Sequence, residues 1–153
     1  MNAQLPFLDE HSTEISADVV VVWPILLDAI DRSFAGAGRY ARLVGSADNA
    51  CAGPRPLTVG STLPGFRVAI ANPEVELALQ GRHRFSTYAL TFRLEQLSPG
   101  TSLLRAESRA HFPGAAGAGY RLLVVGSRGH VILVRRLLNR VKHRSESGAT
   151  SLH

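Results

Sequence analysis

The stretch LLRAESRAHFPGAAGAGYRLLVVGSRGHVILVRRLLNRVKHR, residues 103–144, changes its repeat in the middle, and that change decides the fold. Before Pro113 the chain alternates. Leu104, Ala106, Ser108, Ala110 and Phe112 fall on one side and Leu103, Arg105, Glu107, Arg109 and His111 on the other, the period of a half-buried strand. Pro113 and Gly114 stop it. From Tyr120 to Arg144 the residues Tyr120, Val124, Ser127, Val131, Val134, Leu138 and Val141 return at steps of three and four, with Leu123, Leu133 and Leu137 beside them. That spacing predicts a long amphipathic helix starting near Ala116 to Tyr120. Its other stripe is basic: Arg121, Arg128, Arg135 and Lys142 lie seven apart, joined by Arg136 and Arg140, a face expected to be solvated and without a dedicated acidic partner.

Working back from Pro113, the period of two repeats. Tyr88, Leu90, Phe92 and Leu94 alternate with Thr87, Ala89, Thr91, Arg93 and Glu95; Val75, Leu77, Leu79, Gly81 and His83 alternate with Glu74, Glu76, Ala78, Gln80 and Arg82. Phe66, Val68 and Ile70 alternate before the Asn72–Pro73 turn, and Leu57 to Leu63 is a further strand candidate. The reading is an antiparallel meander with one apolar and one charged face, the charges (Arg82, Arg93, Arg105 and Arg109 with Glu76, Glu95 and Glu107) pairing across strands. Upstream, His11 to Ala17 suits a short strand. Asp18 reads as the N-cap of a helix through Val22, Trp23, Leu26, Leu27, Ile30 and Phe34, with Pro24 and the branched run before it counting against a clean helix. Gly36 and Gly38 end that helix, and Arg39 to Val44 is a further helical turn. Residues 1–10 and 145–153 lack periodicity and are expected to be flexible ends, leaving a single domain over residues 11–144.

At 153 residues, 45% hydrophobic and 19% charged, the chain is globular and not disordered. The longest apolar run, Val19 to Leu27, is interrupted by Pro24 and falls far short of the ~20 residues that span a bilayer. No transmembrane segment and no leader are expected, and the expected location is cytoplasmic. Cys51 is the lone cysteine, which excludes an internal disulfide framework. Residues 1–54 carry seven acids and three bases, residues 55–113 four and seven, and residues 114–153 one and seven, so positive charge gathers at the C-terminal end.

Several motifs fail on their chemistry. Gly114 to Gly119 has the glycines of a phosphate loop but is followed by Tyr120 and Arg121 in place of Lys and Ser or Thr. Gly126-Ser127-Arg128-Gly129 lacks the spacing and the strand-to-helix turn of a nucleophile elbow. His11, His83, His111 and His130 share no ligand spacing, so no metal site and no cofactor are expected. The arginine-rich face lacks interleaved aromatics, which speaks against specific nucleic-acid binding.

Ile15, Ala17, Asp18, Val22, Trp23, Leu27 and Asp28, then Gly60 with Pro64 to Val68, Gly81 to Leu94, Gly100 with Thr101, and Phe112 to Leu138 follow the order of the START-like, or SRPBCC, superfamily, which the chain resembles. That resemblance implies an α+β helix-grip fold, with an antiparallel sheet of six or seven strands wrapped around a long C-terminal helix and a cavity between them. Alternation places Phe66, Val68, Leu77, Leu79, His83, Tyr88, Leu90, Phe92, Ala106, Ser108 and Phe112 on the wall, with Trp23, Tyr120, Leu123, Val124 and Ser127 closing it; small residues at Gly81, Ala106, Ser108, Ala110, Gly126 and Gly129 leave room. His83, Tyr88 or Tyr120 would orient the ligand. The same residues could also interdigitate as a solid core.

Three functions follow. Binding or carriage of an apolar small molecule, lipid-like or aromatic, is favoured. A polyketide cyclase or dehydrase type of enzyme is the alternative, although Glu76 and Glu107 fall on the outer face. An interaction module using the basic helix, with weak peripheral membrane contact, is third. The chain is expected to be a monomer or homodimer.

Overall fold

The period-two segments pair with one another because each offers one apolar side and one free set of backbone donors and acceptors. The computed structural model describes residues 5–119 and 129–150. Its strands are β1 (Phe7–Ile15), β2 (Thr62–Leu63), β3 (Phe66–Asn72), β4 (Glu76–His83), β5 (Ser86–Ser98) and β6 (Thr101–His111). They form one antiparallel six-stranded sheet in the order β1-β6-β5-β4-β3-β2, so the first strand pairs with the last and the rest is a meander. Between β1 and β2 lie α1 (Val19–Phe34), a 3₁₀ turn (Ala35–Ala37) and α2 (Gly38–Leu43). After β6, residues 114–119 are helical (α3), and α4 spans Gly129–Thr150.

The elements differ from the sequence reading in places, each with a local cause. β1 begins at Phe7 rather than His11, because residues 7–15 find a full partner in β6 and Pro6 accepts the Ala110 N–H at 3.0 Å. Most of the candidate strand from Leu57 is loop: Ser61 Oγ donates to the Pro54 carbonyl at 2.7 Å and accepts the Thr58 N–H at 3.1 Å, closing a turn that leaves only Thr62 and Leu63 to pair. Ile70 is 44% exposed because a bulge between Val68 and Ile70 reverses the alternation and turns Ala71 towards the core. α1 runs unbroken through Pro24. Pro24 sits early in the helix, and both it and Val20, whose carbonyl loses a donor, are exposed to solvent.

Asp18 does occupy the N-cap, but its carboxylate does not cap. Oδ1 accepts Gln96 Nε2 at 2.7 Å and the Gly100 N–H at 2.8 Å, while the first free amide of the helix, Val19 N–H, donates to Gln96 Oε1 at 2.9 Å. The cap is thus supplied by β5, across the fold.

α4 does not end at Arg144. Ser145 is fully buried, and the Glu146 carboxylate accepts the Ser16 N–H at 2.8 Å and pairs with Lys142 at 3.0 Å. Those bonds hold the Glu146 carboxyl below its usual range. Lys142 therefore has an acidic partner, contrary to the solvated stripe expected; it also donates to the Glu14 carbonyl at 2.7 Å. Arg144 and Arg32 both lie 2.9 Å from the Asp28 carboxylate. Burial pushes that carboxyl up, but the two guanidinium groups outweigh it and hold it low. Arg135 and Arg136 are exposed as read. Arg121 and Arg128 lie outside the described residues.

The core joins the concave face of the sheet to both helices: Ile15, Val68, Leu77, Leu79, Phe92 and Leu104 meet Val22, Leu26 and Ile30 of α1 and Val134, Leu138 and Val141 of α4. α4 leans mainly on α1 and β1 and touches β6 only lightly. The inner faces of β3 to β5 are consequently left without α4 above them at one end. On the convex face Arg93 lies 3.5 Å from Glu107 and 3.9 Å from Glu76, and Arg105 3.6 Å from Glu95, across strands as expected. Arg109 instead pairs at 2.6 Å with Glu107 of its own strand, two residues away on the same face, and Arg82, exposed, has no glutamate opposite it and forms no ion pair among the described residues.

Candidate functional site

The space left beside α4 is a cavity of about 540 Å³. The sheet contributes Phe66, His83, Ser86, Tyr88, Leu90, Ser108, Ala110 and Phe112, with Leu8, Ala89 and Arg109 at its edge. The corner between α1 and α2 contributes Ser33, Phe34, Gly36, Ala37 and Ala41; the loops add Ser46, Pro64 and Gly65; α4 adds Leu133, Val134 and Leu137. The volume is within the ~300–1,000 Å³ typical of small-molecule sites.

One end is built of rings. Phe34 and Phe66 are 5.0 Å apart between centroids, Phe66 and Tyr88 5.2 Å in an edge arrangement, and Tyr88 and His83 5.3 Å. Their placement depends on two glycines. Tyr88 pairs across the sheet with Gly81, where a Cβ would run into the tyrosine ring and the Gly65 carbonyl. Gly65, at φ +90°, takes a left-handed turn that presents that carbonyl to Tyr88 Oη, which donates to it at 2.5 Å. The phenol expected to orient a ligand is therefore engaged by the backbone.

His83 ends β4, half-buried. Its Nδ1 accepts the Phe85 N–H at 3.0 Å, which puts the proton of the neutral ring on Nε2, and burial pushes its pKa down. The other polar groups on the wall are hydroxyls: Ser46, Ser86 and Ser108 are buried and Ser33 half-buried. Among the described residues the ionisable side chains of the inner wall are His83 and Tyr88; Arg109, at the edge, turns its guanidinium to Glu107 on the convex face, and no Asp or Glu lines the cavity. Glu107 stays on the convex face with Arg93 and Arg109. Among the described residues no three His, Cys, Asp or Glu side chains gather as a metal site, and no helix is long and apolar enough to cross a membrane.

Of the residues expected on the wall, Phe66, His83, Tyr88, Leu90, Ser108 and Phe112 line the cavity. Val68, Leu77, Leu79, Phe92 and Ala106 do not: they are buried in the solid part of the core. Trp23 lies on α1, half-buried against that core and away from the cavity wall. Both follow from where α4 and α1 press on the sheet, which alternation does not reveal. Tyr120, Leu123, Val124, Gly126 and Ser127 lie outside the described residues. Sequence reasoning missed Phe34, Ala37, Ala41, Ser46 and Pro64. The run of small residues from Ala35 to Gly38, directly after Phe34, was the available signal.

This is a helix-grip fold: an antiparallel sheet packed on a long C-terminal helix, with a cavity between them. Solved structures agree on the fold. The chain is similar to the Zhui aromatase/cyclase from Streptomyces sp. R1128, at 13% identity over 94% of each chain with a TM-score of 0.60. It is similar also to norcoclaurine synthase from Thalictrum flavum, at 10% identity over 92% of this chain and 97% of that one with a TM-score of 0.56. A conserved protein from Geobacillus kaustophilus aligns at 16% identity over 90% and 94%, with a TM-score of 0.53. No protein-family model and no curated protein matches the chain.

Proposed function

We propose that this chain binds an apolar small molecule in the cavity between the sheet and α4. The observation that carries the reading is the cavity itself: a space of about 540 Å³ walled by Phe34, Phe66, Leu90, Phe112, Val134 and Leu137, with hydroxyls and one neutral imidazole as its polar groups. Apolar surface of that extent gains by taking up a ligand that would otherwise be hydrated. Fold neighbours that include an aromatase/cyclase and norcoclaurine synthase support a cleft of this kind as a place for ring compounds. Binding is favoured over the cyclase or dehydrase alternative because acid–base chemistry would rest on His83, without a carboxylate at the wall among the described residues.

The test uses N-phenyl-1-naphthylamine, a fluorescent apolar probe. Saturable uptake at one probe per chain is expected. At a free concentration of ~100 Kd, binding stabilises the native state by about 2.7 kcal/mol, which raises Tm by roughly 5–10 °C at this chain length. Ala110→Leu places a larger side chain in the cavity and should abolish uptake while costing at most about 1–3 kcal/mol. Folded wild-type protein that takes up no probe would overturn the proposal.

A further inference from the structure

The mouth of the cavity lies where α4 faces the corner between α1 and α2. Leu133 lines the cavity yet is 45% exposed, and Gly36 lines it with nothing within 4 Å of where a side chain would begin. Arg140 Nη1 donates to Ser33 Oγ at 3.0 Å, which ties the two rims together.

These rims share an unusual composition. Residues 35–43 and 129–145 contain neither Asp nor Glu. They carry Arg39, Arg42, Arg135, Arg136 and Arg140, all exposed, beside Leu43 at 76% and Ile132 at 49% exposure. Arg39, Arg42 and Arg136 form no ion pair among the described residues; Arg135, unpaired as well, lies on the side of α4 turned to His11, Ser12 and Thr13 of β1, away from this corner. On the convex face of the sheet Arg93, Arg105 and Arg109 each have a glutamate, and Arg82 is the exception, with no ion pair among the described residues. Nearer the end of α4, Lys142 and Arg144 are paired as well. At the opening, Arg39, Arg42 and Arg136 therefore stand unpaired beside exposed aliphatic side chains, on rims that carry no carboxylate. An apolar tip gains nothing from a nucleic-acid backbone, whereas it gains from the acyl boundary of a bilayer whose headgroups attract the arginines.

We propose that the mouth of the cavity docks on an anionic lipid bilayer, with the arginines at phosphate level and Leu43, Ile132 and Leu133 reaching into the boundary, and that the apolar ligand passes there. The passage of ligand rests on the binding function proposed above; the docking does not. A ligand that moves directly between bilayer and cavity never has to be hydrated.

Sedimentation of the full chain with vesicles tests this. Phosphatidylcholine vesicles containing phosphatidylglycerol should bind it in low salt, at least tenfold more tightly than phosphatidylcholine alone, and 0.5 M salt should release it. Each cation near the surface contributes on the order of fivefold, so Arg39→Glu/Arg42→Glu/Arg136→Glu should weaken binding by far more than tenfold. Leu43→Ser/Ile132→Ser should weaken it several-fold. Arg105→Glu, on the convex face of the sheet beside Glu95 and away from the mouth, matches Arg136→Glu in charge and should change it less than twofold. Circular dichroism checks that each variant is folded. Equal losses from Arg105→Glu and Arg136→Glu, equal binding to both vesicles, or displacement of the chain from the vesicles by equimolar duplex DNA would overturn the docking. Probe uptake in vesicle-free buffer separates the two claims: uptake without vesicle binding sinks the docking, and vesicle binding without uptake sinks the passage of ligand.

Discussion

At the scale of single residues, Gly81 and Tyr88 show how one position sets the shape of a cavity. The tyrosine ring lies across the glycine, and its hydroxyl reaches the Gly65 carbonyl only because no Cβ intervenes. Gly81→Ala should displace the ring or the β2–β3 turn, costing about 1–3 kcal/mol in urea unfolding. Tyr88→Phe, which leaves the Gly65 carbonyl without its donor, should cost a similar ~1–3 kcal/mol. An unchanged unfolding midpoint for both would show that the ring is not held as described. Alternation in the sequence placed Tyr88 and His83 on the inner face. It could not show that the phenol spends its proton on a backbone carbonyl, because Gly65 is distant in sequence and meets Tyr88 only through the β3–β4–β5 pairing.

At the scale of elements, α4 is the cover of the core, and its residues differ by face. Leu138, 3% exposed, packs into the core, whereas Ile132 is 49% exposed. Leu138→Ala should cost about 2–5 kcal/mol and Ile132→Ala less than about 0.5 kcal/mol. Equal costs by thermal or urea unfolding would show the helix rotated from this placement. The 3.6 period of its stripe was legible without the fold. Its far end was not: Ser145 to Thr150 is polar and reads as a tail, yet Glu146 finds the Ser16 amide and Lys142, and Ser145 is enclosed. The start of α1 teaches the same lesson, since its cap comes from Gln96 rather than from Asp18.

At the scale of the whole molecule, these contacts give stability a pH dependence with a definite sign. Native His83 resists protonation because it is buried and because Nδ1 already accepts the Phe85 N–H. Below the ordinary value of 6.5 the unfolded chain takes up a proton that the native state does not, so stability falls as pH drops through that value and levels off below the native pKa. Asp28 and Glu146 act lower: their native carboxyls are held below the ordinary 3.8 and 4.5, so the stability they contribute is complete above those values and is lost as pH falls through the native ones. Urea midpoints measured from pH 8 to pH 3 should show both steps, and His83→Gln should remove only the upper one. A wild-type profile flat between pH 7 and pH 5 would mean that His83 titrates as it does in the unfolded chain.

The amino-acid sequence by itself determined the order of the elements, the inner and outer faces of β4, β5 and β6, the amphipathic long helix, and the charged convex face with the cross-strand pairs of Arg93 and Arg105. These are consequences of local period, and period is written in neighbouring residues. Tertiary structure alone decided that Phe92 and Ala106 belong to solid core while Phe34, Ala37 and Ala41 line an open space, because both depend on the direction in which α4 leans across the sheet. The bulge after Val68, the cap from Gln96 and the closure of Arg144 on Asp28 belong to the same class. Each joins residues far apart in the chain, and nothing in their own segments distinguishes a partner from solvent.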